Sequence, residues 1–185
     1  MTIIVAGLIL FVIVGTVIYN RLIRSRNRVS TAWSDIDVQL QRRHDLVPRL
    51  VKAVDQYAKY ERATLEAVTQ LRVEAMQQAD VRKRGKVEEQ LGAGLERLIA
   101  LAENYPDLKA NENFLNLQNE LVETENYLQF ARRYYNGSVR DYNTLIESVP
   151  SNIVASLFRF TQRDFFQRSS DEAANVPLAK FGTVE

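Results

Sequence analysis

From Ile3 to Tyr19 the chain is almost wholly apolar, and no charged side chain occurs before Arg21. These seventeen residues, wound as a helix rising about 1.5 Å per residue, extend roughly 25 Å. Leu22 and Ile23 lengthen the apolar path while Arg21 snorkels outward. The pattern then changes to apolar positions at alternating steps of four and three: Val29, Trp33, Ile36 and Leu40, then Val47, Leu50, Val54 and Tyr57, then Val68, Leu71 and Ala75. Such a heptad seam predicts one amphipathic helix from about Ser30 to Gln78, roughly 70 Å long and running on directly from the apolar segment. Pro48 falls inside it, lacks an N–H and clashes with the carbonyl four residues back. Because the seam keeps phase across it, a kink near His44 is expected rather than a reversal. The polar run Asp80–Lys86, with Gly85, is expected to form the first turn.

A second, shorter helix is predicted from about Val87 to Asn104, with Leu91, Leu95, Leu98 and Ala102 on one face. Tyr105-Pro106 stops it, and Asn111 is placed as the N-cap of the next helix. There the seam returns through Phe114, Leu117, Leu121, Thr124, Leu128, Ala131, Tyr135, Ser138, Tyr142 and Leu145 until Val149-Pro150 breaks it. A short helix follows over about Pro150–Phe158, whereas Ser169–Glu185 has no periodicity and reads as a tail. The economical arrangement is all-α: an N-terminal transmembrane helix followed by an elongated antiparallel bundle of three long helices and a short fourth. The expected division is anchor and basic flank over residues 1–24, bundle over 25–168 and tail over 169–185.

Tyr19-Asn20-Arg21-Leu22 offers no small-x-small cleavage site, so the apolar segment is expected to be retained. Arg21, Arg24, Arg26 and Arg28 crowd one flank, which by the positive-inside rule places the C-terminal part in the cytoplasm and the short N-terminus outside. The same arginines could meet anionic lipid headgroups. Lys and Arg number 24 against 23 Asp and Glu, so the net charge of +1 supplies no reason to expect a nucleic-acid partner. With no cysteine, disulfides, thiolate metal sites and a cysteine nucleophile are all excluded.

Candidate chemistry is sparse. His44 is the single histidine, so the paired Glu-x-x-His motifs of di-iron bundles are missing. Adjacent on a helix, His44 and Asp45 diverge by about 100° and cannot orient each other. His44 therefore reads as a structural or surface residue. Gly92-Ala93-Gly94 follows no strand and lacks a nucleotide fingerprint; close helix contact explains it better. Gly7 and Gly15, eight apart, are a weak helix-pairing signal. Asp35 and Asp37 fall near opposite sides of the helix, as surface or capping carboxylates.

Arg43, seven after Ile36 and seven before Leu50, occupies a seam position where a charge demands a partner. The expected structural network links it to Glu125 or Glu120, with Arg132 seven beyond Glu125. In Phe158-Arg159-Phe160-Thr161-Gln162-Arg163-Asp164-Phe165-Phe166, four phenylalanines alternate with charges over too short a length to span a membrane. Phe158, Phe160, Phe165 and Phe166 are expected to pack over the bundle end, or else to dock another protomer or the bilayer surface.

The blocks Ala32-Trp33-Ser34-Asp35-Ile36-Asp37-Val38-Gln39-Leu40, Arg42-Arg43-His44-Asp45-Leu46-Val47-Pro48 and Tyr105-Pro106-Asp107-Leu108-Lys109-Ala110-Asn111-Glu112-Asn113-Phe114 resemble those of the bacterial LemA family. Ala131-Arg132-Arg133-Tyr134-Tyr135-Asn136, Val139-Arg140, Tyr142-Asn143 and Pro150-Ser151-Asn152-Ile153 are similar to its downstream motifs, in the same order. The likeness covers roughly residues 19–162, and the ending from Gln167 departs from the family's alanine- and glutamate-rich tail. It implies a single-pass protein of the bacterial inner membrane with a helical-bundle cytoplasmic domain and no established enzymatic reaction. One branch of the family is associated with magnetosome membranes and others with envelope processes. No catalytic residue, cofactor, metal or small-molecule substrate is expected. The expected role is a non-enzymatic scaffold acting at the lipid bilayer through homo-oligomerisation, with an adaptor for a membrane protein partner, such as an envelope protease or sensor kinase, as the alternative.

Overall fold

A computed structural model describes residues 1–166, and the expected tail over Ser169–Glu185 lies outside them. The described chain is all-helical with no strand. Helix α1 (Thr2–Asp55) carries the apolar run into the bundle without a break. Its first third is long and apolar enough to cross a membrane, and none of that stretch is buried in the fold. Helices α2 (Arg62–Gln77), α3 (Val81–Ala102), the single turn α4 (Pro106–Lys109), α5 (Glu112–Glu147) and α6 (Ser151–Leu157) follow. The long antiparallel pair α1/α5 is the spine; α2 and α3 pack on each other, α2 also on α1, and α6 on both α1 and α5.

Two expectations are corrected. The seam from Ser30 to Gln78 is not one helix: α1 ends at Asp55, the chain reverses through residues 56–61, and Val68, Leu71 and Ala75 belong to α2. The reversal coincides with the start of α5, where the Asn111 side-chain amide donates to the Tyr57 hydroxyl at 3.3 Å. Beyond that level α1 would have no α5 surface on which to bury its seam, so folding back buries Ala58, Leu65 and Val68 instead. Asp80–Lys86 is likewise not a turn. Asp80 is an N-cap whose carboxylate accepts from the Lys83 amide at 2.9 Å, which starts α3 at Val81 and places Gly85 inside it. Asn111 caps α5 in the same way through the Phe114 amide, at 3.1 Å.

Two apolar cores result. The distal one joins Val47, Leu50 and Val54 of α1 to Val68 of α2, Leu91 and Leu98 of α3 and Phe114 of α5. The proximal one, nearer the apolar segment, joins Ala32, Ile36 and Leu40 of α1 to Leu128, Tyr135 and Tyr142 of α5. Gly94 lets α2 and α3 approach closely, for a Cβ there would stand 3.2 Å from a Val68 methyl.

Candidate functional site

Between the two cores lies a buried polar layer. Arg43 and His44 of α1 are each only 1% exposed, and Glu88 of α3 is fully buried. Arg43 Nη1 donates to Glu125 Oε1 of α5 at 2.6 Å and Nη2 to Glu88 Oε2 at 2.8 Å, with a further short hydrogen bond to the Glu88 carbonyl. His44 Nε2 meets the other Glu88 oxygen at 2.8 Å. Burial pushes the Glu88 carboxyl upward, but the His44 hydrogen bond and the positive fields of Arg43, His44 and Arg84 outweigh it and hold the group below its ordinary value. Three helices are thereby pinned at one level by charge-assisted hydrogen bonds whose loss would strand a buried charge.

The structure brings Arg43 and Glu125 together but not Glu120, which pairs with Arg49 of α1 at 3.1 Å on the exposed surface. Arg132 stacks over the Phe166 ring, 5.2 Å from its centroid. It also borders an open cleft of about 410 Å³ lined by Arg43, Glu88, Gly92 and Glu125. Sequence reasoning missed Glu88. The signal was present: Glu88 stands three before Leu91 and seven before Leu95, which makes it a seam residue of α3 just as Arg43 is of α1.

Beside this layer, α1 runs unbroken through Pro48. The proline has no N–H to offer the His44 carbonyl, and Arg72 of α2 supplies the missing donor through Nε at 2.7 Å. Asp37 pairs with Arg84 of α3 at 2.9 Å, and Asp35 is exposed.

The phenylalanine segment divides in two. After α6 the chain returns along α5 as a strap held by two reciprocal clasps. The Asn143 amide group donates to the Arg163 carbonyl and accepts from the Arg163 N–H, both at 2.9 Å. Asn136, two turns earlier, does the same with Phe166 at 3.1 and 2.9 Å, and the Tyr135 hydroxyl donates to the Asp164 carbonyl at 2.9 Å. Phe166 is thereby buried against Trp33, ring centroids 5.7 Å apart, while Phe160 and Phe165 pack at the margin of the proximal core. Phe158 is instead 55% exposed and touches Tyr19, at 4.7 Å between centroids. Arg26 lies over the Phe160 ring at 5.4 Å, and Arg21, Arg24 and Arg28 point into solvent beside it on α1. Among the described residues, no group of three or more His, Cys, Asp or Glu side chains is placed to hold a metal ion.

A first helix of anchor length and apolar composition, continuous with an α-helical bundle zoned by a buried polar layer, defines a class of membrane-associated helical-bundle proteins. Within that class the LemA family model matches residues 32–181, and the chain belongs to the LemA family. It is 30% identical over 176 residues to Protein LemA of Metamycoplasma hominis, covering 94% of this chain and 79% of that protein. It is 24% identical over 204 residues to Magnetosome protein MamQ 2 of Paramagnetospirillum magneticum, covering 96% and 74%. Magnetosome protein MamQ of Magnetospirillum gryphiswaldense is 23% identical over 200 residues, covering 94% and 73%.

Proposed function

We propose that the protein is a membrane-tethered, non-enzymatic scaffold that self-associates through the outer face of its α1/α5 spine. The observation that carries this reading is an apolar stripe turned to solvent: Val38 of α1 beside Tyr127, Phe130 and Tyr134 of α5, each about half exposed or more. A stripe of aromatic residues on the rigid spine is the type of surface that helices bury against each other. Chains related to this one are named as magnetosome proteins, and a role in organising a membrane fits a bundle tethered by its first helix. In this reading α1 crosses the bacterial inner membrane, with the N-terminus outside and the bundle in the cytoplasm on the side of Arg21, Arg24, Arg26 and Arg28. Division into anchor 1–24, bundle 25–168 and tail 169–185 is part of the same proposal.

The test is the mass of the full-length protein in mild detergent, measured by light scattering with detergent correction, beside a Phe130→Ser/Tyr134→Ser variant. Discrete assemblies that the variant reduces to protomers support the scaffold. A monomer in both overturns self-association and turns the search to co-purifying membrane proteins, as an adaptor requires.

A further inference from the structure

Helix α6 is built the wrong way round for water. Its small residues Ser151 and Ala155, four apart, are buried on the protein side, whereas Ile153 and Leu157, also four apart, turn outward and are 65% and 75% exposed, and Val149 just before the helix is 79% exposed. Phe158 extends the same apolar patch. We propose that the segment 149–160 is a second contact with the lipid bilayer, lying in the headgroup region beside α1. The inference rests on the reading that α1 crosses the membrane.

Position selects lipid as the occupant. Tyr19 is the last residue of the apolar run, and the rings of Phe158 and Phe160 meet it tilted and edge-on, with centroids 4.7 and 5.9 Å away. The exposed face of α6 therefore lies beside the exposed apolar wall of α1, which Val12 and Leu8 continue on the Tyr19 side two and three turns further on. At the same level the chain reverses in a way that fits an interface. Arg159 adopts a left-handed conformation (φ 54°) and closes α6 with two hydrogen bonds, its own N–H to the Ser156 carbonyl at 3.2 Å and the Phe160 N–H to the Ala155 carbonyl at 2.8 Å. That leaves the Arg159 side chain exposed next to Phe158. Outward aliphatics, aromatic rings at the end of a membrane-length segment and flanking arginines are the composition of a helix lying in the bilayer interface. Such a contact would hold the bundle at a set angle to the membrane, since α1 alone leaves it free to rotate about the helix axis.

The absence of cysteine permits the test on the full chain. Single nitroxide labels are placed at Leu157→Cys, at Ile9→Cys in the apolar run and at Gln70→Cys on exposed α2, with the protein in phosphatidylcholine vesicles containing phosphatidylglycerol. Power saturation then compares relaxation by oxygen, which partitions into lipid, with relaxation by a water-soluble nickel chelate. The expected result is that the Leu157 and Ile9 labels respond more to oxygen, with Ile9 the deeper, while Gln70 responds more to nickel. A Leu157 label that behaves like Gln70 beside a lipid-exposed Ile9 overturns the second contact and leaves the span standing. A Leu157 label shielded from both reagents means that protein covers α6, which also overturns it. If the Ile9 label follows nickel, α1 does not cross the membrane and both readings fall.

Discussion

At the residue scale, Glu88 has the largest consequences. Its carboxylate bonds Arg43 Nη2 with one oxygen and His44 Nε2 with the other, and both residues are about as deeply buried as it is. Removing one partner of a buried charge-assisted set leaves the other uncompensated. Glu88→Gln is therefore expected to cost about 3–5 kcal/mol in chemical denaturation near neutral pH. The pH dependence follows from the depressed folded value. Stability contributed by Glu88 is fully present above the ordinary glutamate value of 4.5 and is lost as pH falls through the lower folded value. The gap between the wild-type chain and Glu88→Gln should accordingly narrow on acidification; a constant gap would show that the carboxylate charge is not the source. Arg159 makes a second case. A non-glycine residue in the left-handed region is strained by about 1 kcal/mol, so Arg159→Gly should raise the unfolding free energy by that order.

Single helices show how neighbours complete what local sequence leaves open. Pro48 sits inside α1, two turns before its end, at the cost of one backbone hydrogen bond, and α2 supplies a replacement donor from outside through Arg72. The two residues should be coupled. Arg72→Ala alone is expected to destabilise by about 1–3 kcal/mol, because the half-buried His44 carbonyl loses its donor. In a Pro48→Ala background the restored N–H serves that carbonyl, and the cost of Arg72→Ala should shrink; additive effects in the double-mutant cycle would refute the compensation. Asn136 and Asn143 work similarly on the strap, each offering a donor and an acceptor to a backbone that has no ladder partner. Both asparagines lie within sequence blocks that mark the family resemblance, and the structure supplies a physical task for them.

On the scale of the whole molecule, the polar layer divides one long bundle into two apolar cores and joins α1, α3 and α5 at one level. Replacing a buried ionic set by apolar residues of similar volume is often neutral or stabilising, so the role to test for this layer is register. Replacing Arg43→Met, His44→Leu and Glu88→Leu together is expected to leave thermal stability equal or higher while changing the oligomeric mass of the full-length protein. Unchanged mass and unchanged helix packing would remove the register role.

The seams of Ile36, Leu40, Val47 and Leu50 on α1 and of Leu121, Leu128, Tyr135 and Tyr142 on α5 were legible because helix periodicity repeats in the chain itself, as were the membrane-length apolar run and the Asn111 cap. Arg43 could be recognised as needing a partner by the same periodicity. Local pattern could not reveal where α1 stops. The seam stays in phase through Tyr57, Val68 and Leu71, and no glycine or proline marks residues 56–61; the reversal exists because α5 begins at that level and offers no surface beyond it to bury against. Nor could it show that Glu88 completes the layer, that Arg72 serves Pro48, or that Phe158 parts company with Phe166. Each of these is a contact between residues distant in sequence, decided by which surfaces meet once the helices dock. Local spacing determined the helices and their apolar faces, and the tertiary structure alone decided which faces became core and which remain open to lipid or partner.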